Sequence, residues 1–268
     1  MAEANGQRVT ARFPDLAGKT AIVTGTSRGI GCGIAKFLGE QGMRLVLTAR
    51  SEGQGEAFAA TLRETGVDCV FMGADLATPA DATRVFQAAT AAYERIDLLV
   101  NNAAHLKSKH FLELDEENFQ HSCERNIRII YGISRHVAQH MAAAGGGCII
   151  HLSSVGGLRA HQGMAGYDAS KGAIDALTRS MSIDLAASGI RVNAVAPGAT
   201  QSRPLLEAKP ASAAHGAHLI PLHRYATVEE IGAAVAFLAS DAAAYITGQI
   251  LYVDGGLTAQ LSPPGQPV

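Results

Sequence analysis

The chain has little net charge and few charged residues. Twenty-two Lys and Arg face 24 Asp and Glu across 268 residues, a formal charge of -2, and charged residues make up 17%. No basic stripe is visible, which argues against a nucleic-acid binder. No apolar run approaches the ~20 residues that cross a bilayer. Residues 1–14 lack the apolar centre of a signal peptide. Cysteine is scarce: Cys32, Cys69, Cys123 and Cys148 are widely spaced and form no C-x-x-C pair. They read as free thiols of a reducing, cytoplasmic compartment. None of the ten histidines falls in an H-E-x-x-H pattern. His136 and His140 are four apart, but that is what any helix face offers, and no metal is expected. No composition shift marks a second domain, and there is no internal repeat.

What is present is apolar and periodic. The apolar fraction is 47%, enough for a sizeable core. Strand and helix patterns alternate, which implies an α/β fold: a parallel sheet with helices on both faces. Strands are expected at 21–23, 45–48, 69–72, 98–100, 148–152, 192–196 and 250–253. The longest helices are expected at 116–142 and 165–187. Right-handed crossovers then give one doubly wound Rossmann-type domain over residues 15–258. Residues 1–14 form an N-terminal extension. Residues 259–268 form a proline-rich tail, expected to be extended or disordered.

Two motifs carry chemistry. In Thr24-Gly25-Thr26-Ser27-Arg28-Gly29-Ile30-Gly31 a glycine-rich turn follows a buried strand and opens a helix. That context marks a dinucleotide-binding turn, although its spacing is G-x-x-x-G-x-G and not G-x-G-x-x-G. Glycine allows close backbone approach, and the helix N-terminus attracts a pyrophosphate. In Tyr167-Asp168-Ala169-Ser170-Lys171 a phenol and an ammonium stand four apart. On a helix they share a face, where the positive charge would lower the tyrosine pKa toward working pH. The pair is a candidate proton-transfer device.

Together with Asn101-Asn102-Ala103-Ala104, Asn126, Ser154 and Pro197-Gly198, these motifs resemble the short-chain dehydrogenase/reductase family from about Leu16 to Leu257. The resemblance implies a seven-stranded sheet in the order 3-2-1-4-5-6-7. It implies an oxidoreductase that interconverts a ketone and a secondary alcohol by hydride transfer with NADP(H). It assigns Tyr167 as proton donor to the carbonyl oxygen. Lys171 would lower the Tyr167 pKa and hold the nicotinamide ribose. Ser154 would stabilise the developing oxyanion. Asn126 would position a water that relays protons to Lys171. The cofactor contacts it implies are Gly25, Ser27, Arg28, Gly29, Ile30, Gly31, Arg50, Asp75, Leu76, Asn102, Ala103, Tyr167, Lys171, Pro197, Gly198, Thr200 and Ser202, with Asp75 on the adenine. Ala104 departs from the family's usual glycine, and Ser202 from its common threonine.

The same resemblance reads residues 200–225 as a substrate loop or lid. It implies a homotetramer built on the helix that carries Ile127, Ile130, Tyr131 and Val137 and on the helix after Tyr167. NADP(H) over NAD(H) is expected because strand two ends Leu47-Thr48-Ala49-Arg50. Ala49 stands where an acid would bind a ribose 2′-hydroxyl, and Arg28 and Arg50 could share a 2′-phosphate. An acyl-carrier-protein thioester is an alternative substrate, although Gly132 and Ser188 are read at positions where such reductases carry arginine. Lys107, Lys109, Arg159, Arg203 and Lys209 could attract an anionic substrate, but read better as plain surface charge. His161 could touch substrate. A non-catalytic cofactor sensor is a further reading, disfavoured by the presence of both Tyr167 and Lys171.

Overall fold

The apolar runs become strands buried on both faces. A computed structural model describes residues 9–106, 109–202 and 216–266. Its strands are β1 (Thr20–Thr24), β2 (Arg44–Ala49), β3 (Cys69–Gly73), β4 (Leu98–Asn101), β5 (Gly147–Leu152), β6 (Ile190–Pro197) and β7 (Ile250–Val253). All neighbouring pairs are parallel, and the order is β3-β2-β1-β4-β5-β6-β7. This is the expected doubly wound sheet. Parallel strands covered on both faces read as continuous apolar runs, which is why they are legible in the sequence.

The helices are α1 (Ile30–Glu40), α2 (Glu52–Glu64), α3 (Pro79–Ala92), α4 (Glu116–Ala143), α5 (Ala165–Ala186) and α6 (Val228–Ala239). Side chains alternate across the sheet with period two. Ala21, Val23, Ile150 and Leu152 join Phe37 and Leu38 of α1 and Val235 of α6 in one core layer. Ile22, Leu99 and Ile149 join Val85 of α3 and Ile133 and Val137 of α4 in the other. Caps set several helix starts. Asp115 accepts from Asn118 N–H at α4, and Thr227 and Glu230 form a reciprocal capping box at α6.

The two terminal segments make contacts of their own. Residues Val9, Ala11 and Phe13 of the extension pack against the first core layer, so the apolar side chains there find a surface to cover. The tail is not simply extended: the Gln266 amide closes a turn on the Pro263 carbonyl, and the Gln260 amide donates to the Leu219 carbonyl at 2.8 Å. Proline fixes φ but still accepts at its carbonyl, which such a turn uses. His136 and His140 pack on Phe86 of α3, and His140 Nε2 accepts from the Ile96 amide at 3.3 Å.

Candidate active site

The candidate residues gather at the carboxyl edge of the sheet, beside the point where strand order reverses between β1 and β4. Open α/β sheets place ligands there. The glycine turn leaves β1 with Gly25 and Gly29 at positive φ, 75° and 69°. A Cβ on Gly31 would lie 2.3 Å from the Gly25 carbonyl oxygen, so the turn closes only with glycine. Asn102 ties this turn to the end of β4. Its side-chain amide donates to the Thr24 and Gly25 carbonyls at 2.9 and 3.1 Å, while Thr24 Oγ1 accepts from the Asn102 and Ala103 amides. Gly29 caps α1 with no side-chain bond, which leaves the first N–H groups of the helix for an anion.

A cavity of about 240 Å³ opens over this turn. Gly25, Ser27 and Arg28 line it from the turn, Ala49 and Arg50 from the end of β2, and Asp75 and Leu76 from the end of β3. Asn102, Ala103 and Ala104 line it from β4, and Arg125 and Ile129 from α4. The Ala104 backbone has no positive φ, so its methyl costs no backbone strain. Gly29, Ile30 and Gly31 complete the turn at the start of α1. Pro197 ends β6, and beyond it Thr200 Oγ1 bonds the Gly198 carbonyl at 3.1 Å. The Ser202 side chain lies 3.6 Å from where a Cβ on Gly29 would stand, so this loop runs beside the turn. The chemistry of the set suits a dinucleotide phosphate: glycine backbone and a free helix N-terminus for the pyrophosphate, and guanidinium groups for further phosphate.

Ser154, Tyr167 and Lys171 come together at the end of β5 and the start of α5. Ser154 Oγ accepts from the Gly156 amide at 3.1 Å and shares a hydrogen bond with Tyr167. Burial pushes the Tyr167 phenol above its ordinary value, and the Ser154 bond opposes this without overcoming it. Lys171 is 3% exposed. Its Nζ lies 5.4 Å from the Tyr167 ring centroid and donates to the Leu152 carbonyl at 2.6 Å. Burial brings its pKa down to about 8, and Asp175, one turn further along α5, pulls the other way.

Burial dominates the Tyr167 phenol in this geometry, while the Lys171 ammonium, beside the ring, donates to the Leu152 carbonyl. The Asn126 side chain bonds nearer groups. Asn126 Oδ1 accepts from the His105 amide at 2.6 Å, and Nδ2 donates to the His105 carbonyl at 3.0 Å and to Ser170 Oγ at 2.9 Å. Ser170 in turn donates to the Tyr167 carbonyl at 2.6 Å. Asn126 therefore braces the loop after β4 against the first turns of α5.

Among the basic residues named above, Lys109 pairs with Asp115 at 3.1 Å and Arg159 reaches the Thr258 carbonyl at 3.4 Å. Lys107, Arg203 and Lys209 lie outside the described residues. His161 Nδ1 pairs with Asp168 Oδ1 at 2.8 Å, beside Gly156. Gly132 packs toward Ala82 of α3, and Ser188 lies between α5 and β6, at the amino edge of the sheet. Neither position carries an arginine that a carrier protein could engage. Two groups escape the motif reading, the buried Asp175 and the half-buried Arg125. Asp175 stands eight residues after Tyr167 on the same face, a spacing that could have found it. Arg125 meets its partner Asp75 only through the fold.

The buried lysine makes a testable statement about stability. A pKa near 8 against an ordinary 10.5 places about 3 kcal/mol on the charged form. The lost bond to Leu152 takes back about 1 kcal/mol. Lys171→Met should therefore raise unfolding free energy by about 2 kcal/mol at pH 7. The unfolded state holds more protons between pH 8 and 10.5, so the parent gains stability as pH rises through that window. The advantage of the variant is full below pH 8 and shrinks above it. Urea unfolding at pH 7 and 9.5 checks this; a variant less stable than the parent at pH 7 contradicts it.

A family model described as enoyl-(acyl carrier protein) reductase matches residues 25–258. A cis-4-hydroxycyclohexanecarboxylate dehydrogenase of Sinomonas cyclohexanicum is 38% identical over 246 residues, covering 91% of this chain and 98% of that one. A 3-oxoacyl-(acyl-carrier-protein) reductase of Chlamydia trachomatis is 37% identical over 243 residues, covering 90% and 98%. Among solved structures, a gluconate 5-dehydrogenase from Burkholderia cenocepacia, in complex with NADP and tartrate, superposes with a TM-score of 0.86 at 33% identity, over 92% of this chain and 98% of that one.

Proposed function

The chain belongs to the short-chain dehydrogenase/reductase family, whose members are oxidoreductases using a nicotinamide cofactor, and we propose that it interconverts a ketone and a secondary alcohol with NADP(H). The observation that carries this reading is the meeting of Ser154, Tyr167 and Lys171 at the same carboxyl edge of the sheet that carries a cavity lined by Arg28 and Arg50. The nicotinamide supplies or accepts the hydride. The chain's own groups handle the proton and the charge. Ser154 O–H donates to the substrate oxygen and Tyr167 O–H releases its proton there as charge builds. Lys171 supplies the buried positive charge beside them. Arg28 and Arg50 would hold the 2′-phosphate, and the glycine turn with the start of α1 the pyrophosphate. Asn102 keeps that turn in place.

The single test is a screen of carbonyl compounds, namely ketones, keto-sugars, hydroxy-cycloalkane carboxylates and β-ketoacyl thioesters, for NADPH consumption. Turnover of at least one ketone class supports the reading. Binding of NADPH without turnover across the panel would favour a cofactor sensor. Activity confined to β-ketoacyl thioesters would favour the carrier-protein reductase, the name several relatives bear.

We infer a homotetramer with two-fold axes. Tyr131 on α4 and Ile183 on α5 are exposed, at 60% and 77%, which leaves apolar surface on the helices that family tetramers pair. A monomer mass by light scattering at micromolar concentration would refute it. A cytoplasmic location fits the free thiols, and among the described residues no helix is long and apolar enough to cross a membrane.

A further inference from the structure

The cleft contains a third guanidinium that the proposed chemistry leaves unused. Arg125 precedes Asn126 on α4 and faces the cavity with Ile129, one turn further on. Its side chain is only 17% exposed and forms an ion pair with Asp75 Oδ2, beyond the end of β3. Asp75 is held from other sides as well. Its amide donates to Asp81 Oδ2 at 2.7 Å, and its Oδ1 accepts from the Ala77 amide at 3.2 Å. Burial pushes the Asp75 carboxyl up, but the Arg125 bond, the Ala77 amide and the nearby charges of Arg125 and Arg50 outweigh it and hold the group below its ordinary value. At neutral pH it is a carboxylate, which can only accept hydrogen bonds.

We propose that Arg125 is a positioning residue for the adenine of the cofactor, acting through Asp75, which it fixes as an acceptor facing the adenine amino group. The proposal rests on the dinucleotide-binding reading above. An Arg–carboxylate contact sets direction as well as charge. Without Arg125 the neighbouring cation is Arg50, and Asp75 would turn toward it and away from the base. Adenine offers a donor on its six-position, whereas hypoxanthine offers a carbonyl oxygen that an oriented carboxylate repels.

The experiment measures dissociation constants of NADPH and of its hypoxanthine analogue by fluorescence titration. The unmodified protein should prefer adenine by about tenfold or more, the worth of one hydrogen bond to a charged group. In Arg125→Met the preference should fall to within about twofold, because NADPH weakens more than the analogue; the part of the loss common to both reports Asp75 drawing Arg50 away from the 2′-phosphate. Arg125→Lys keeps the charge without the planar fork and should be intermediate. Equal weakening of both dinucleotides in Arg125→Met would show a merely structural role and overturn the proposal. So would an unchanged adenine preference. If Arg125→Met does not fold by circular dichroism, Arg125→Lys decides, and a full adenine preference there overturns it. Failure of the unmodified protein to bind either dinucleotide would instead remove the cofactor reading on which the proposal stands.

Discussion

Tyr167→Phe should lower kcat by on the order of 10²–10⁴ and leave the fold and dinucleotide binding nearly unchanged. The phenol oxygen can both give and take a proton beside Ser154. Removing it leaves the ring, and with it the packing at the start of α5. Ser154 keeps a partner, since its Oγ still accepts from the Gly156 amide. The lost neutral hydrogen bond is worth about 1 kcal/mol, so urea unfolding should change little. The upward shift keeps Tyr167 protonated at neutral pH, the form that donates to a carbonyl oxygen. Activity of the parent in the reductive direction should therefore persist toward neutral pH. The check is kcat on the best carbonyl of the panel, with NADPH binding followed by fluorescence. Near-normal kcat in Tyr167→Phe would sink the assigned mechanism.

The strands were legible because a parallel sheet covered on both faces demands runs such as Ala21-Ile22-Val23 and Ile149-Ile150, with no polar interruption. The order of the strands came from the family resemblance, and the structure has it. The glycine turn was legible because Gly25 and Gly31 stand where a Cβ would strike the β4 loop or the turn itself. Partnerships across the fold were harder to read. Periodicity places Asn126 on a helix and says nothing of what lies opposite, so its clamp on His105 and Ser170 was out of reach. The i,i+4 rule put Tyr167 and Lys171 on one face but could not reveal the Leu152 carbonyl, which belongs to a strand that α5 covers. Arg125 and Asp75 lie fifty residues apart and carry no local pattern at all.

Cofactor choice follows from charge at the end of β2. Ala49 closes that strand and is buried, and Arg50 follows it at the rim of the cavity. An acid at such a place would bind a ribose 2′-hydroxyl and repel a 2′-phosphate. Here the cavity instead carries Arg28, Arg50 and Arg125 against the single carboxylate of Asp75. Arg125 neutralises that carboxylate through its ion pair, which leaves Arg28 and Arg50 as an uncancelled positive pole. A hydrogen bond from such a group to phosphate is worth about 1.5–3 kcal/mol. Losing one therefore corresponds to roughly 10–150-fold in affinity. Arg50→Ala should weaken NADPH by that factor and NADH much less. Ala49→Asp should move preference toward NADH, since its carboxylate would face the phosphate and draw Arg50 to itself. Salt should narrow the preference of the parent, because Arg28 and Arg50 are exposed and their field is screened within ~8 Å at physiological ionic strength. The measurement is kcat/KM with each cofactor in the parent and both variants. Equal values for the two cofactors in the parent would refute the assignment, and an equal loss for both in Arg50→Ala would place that guanidinium elsewhere than on the 2′-phosphate.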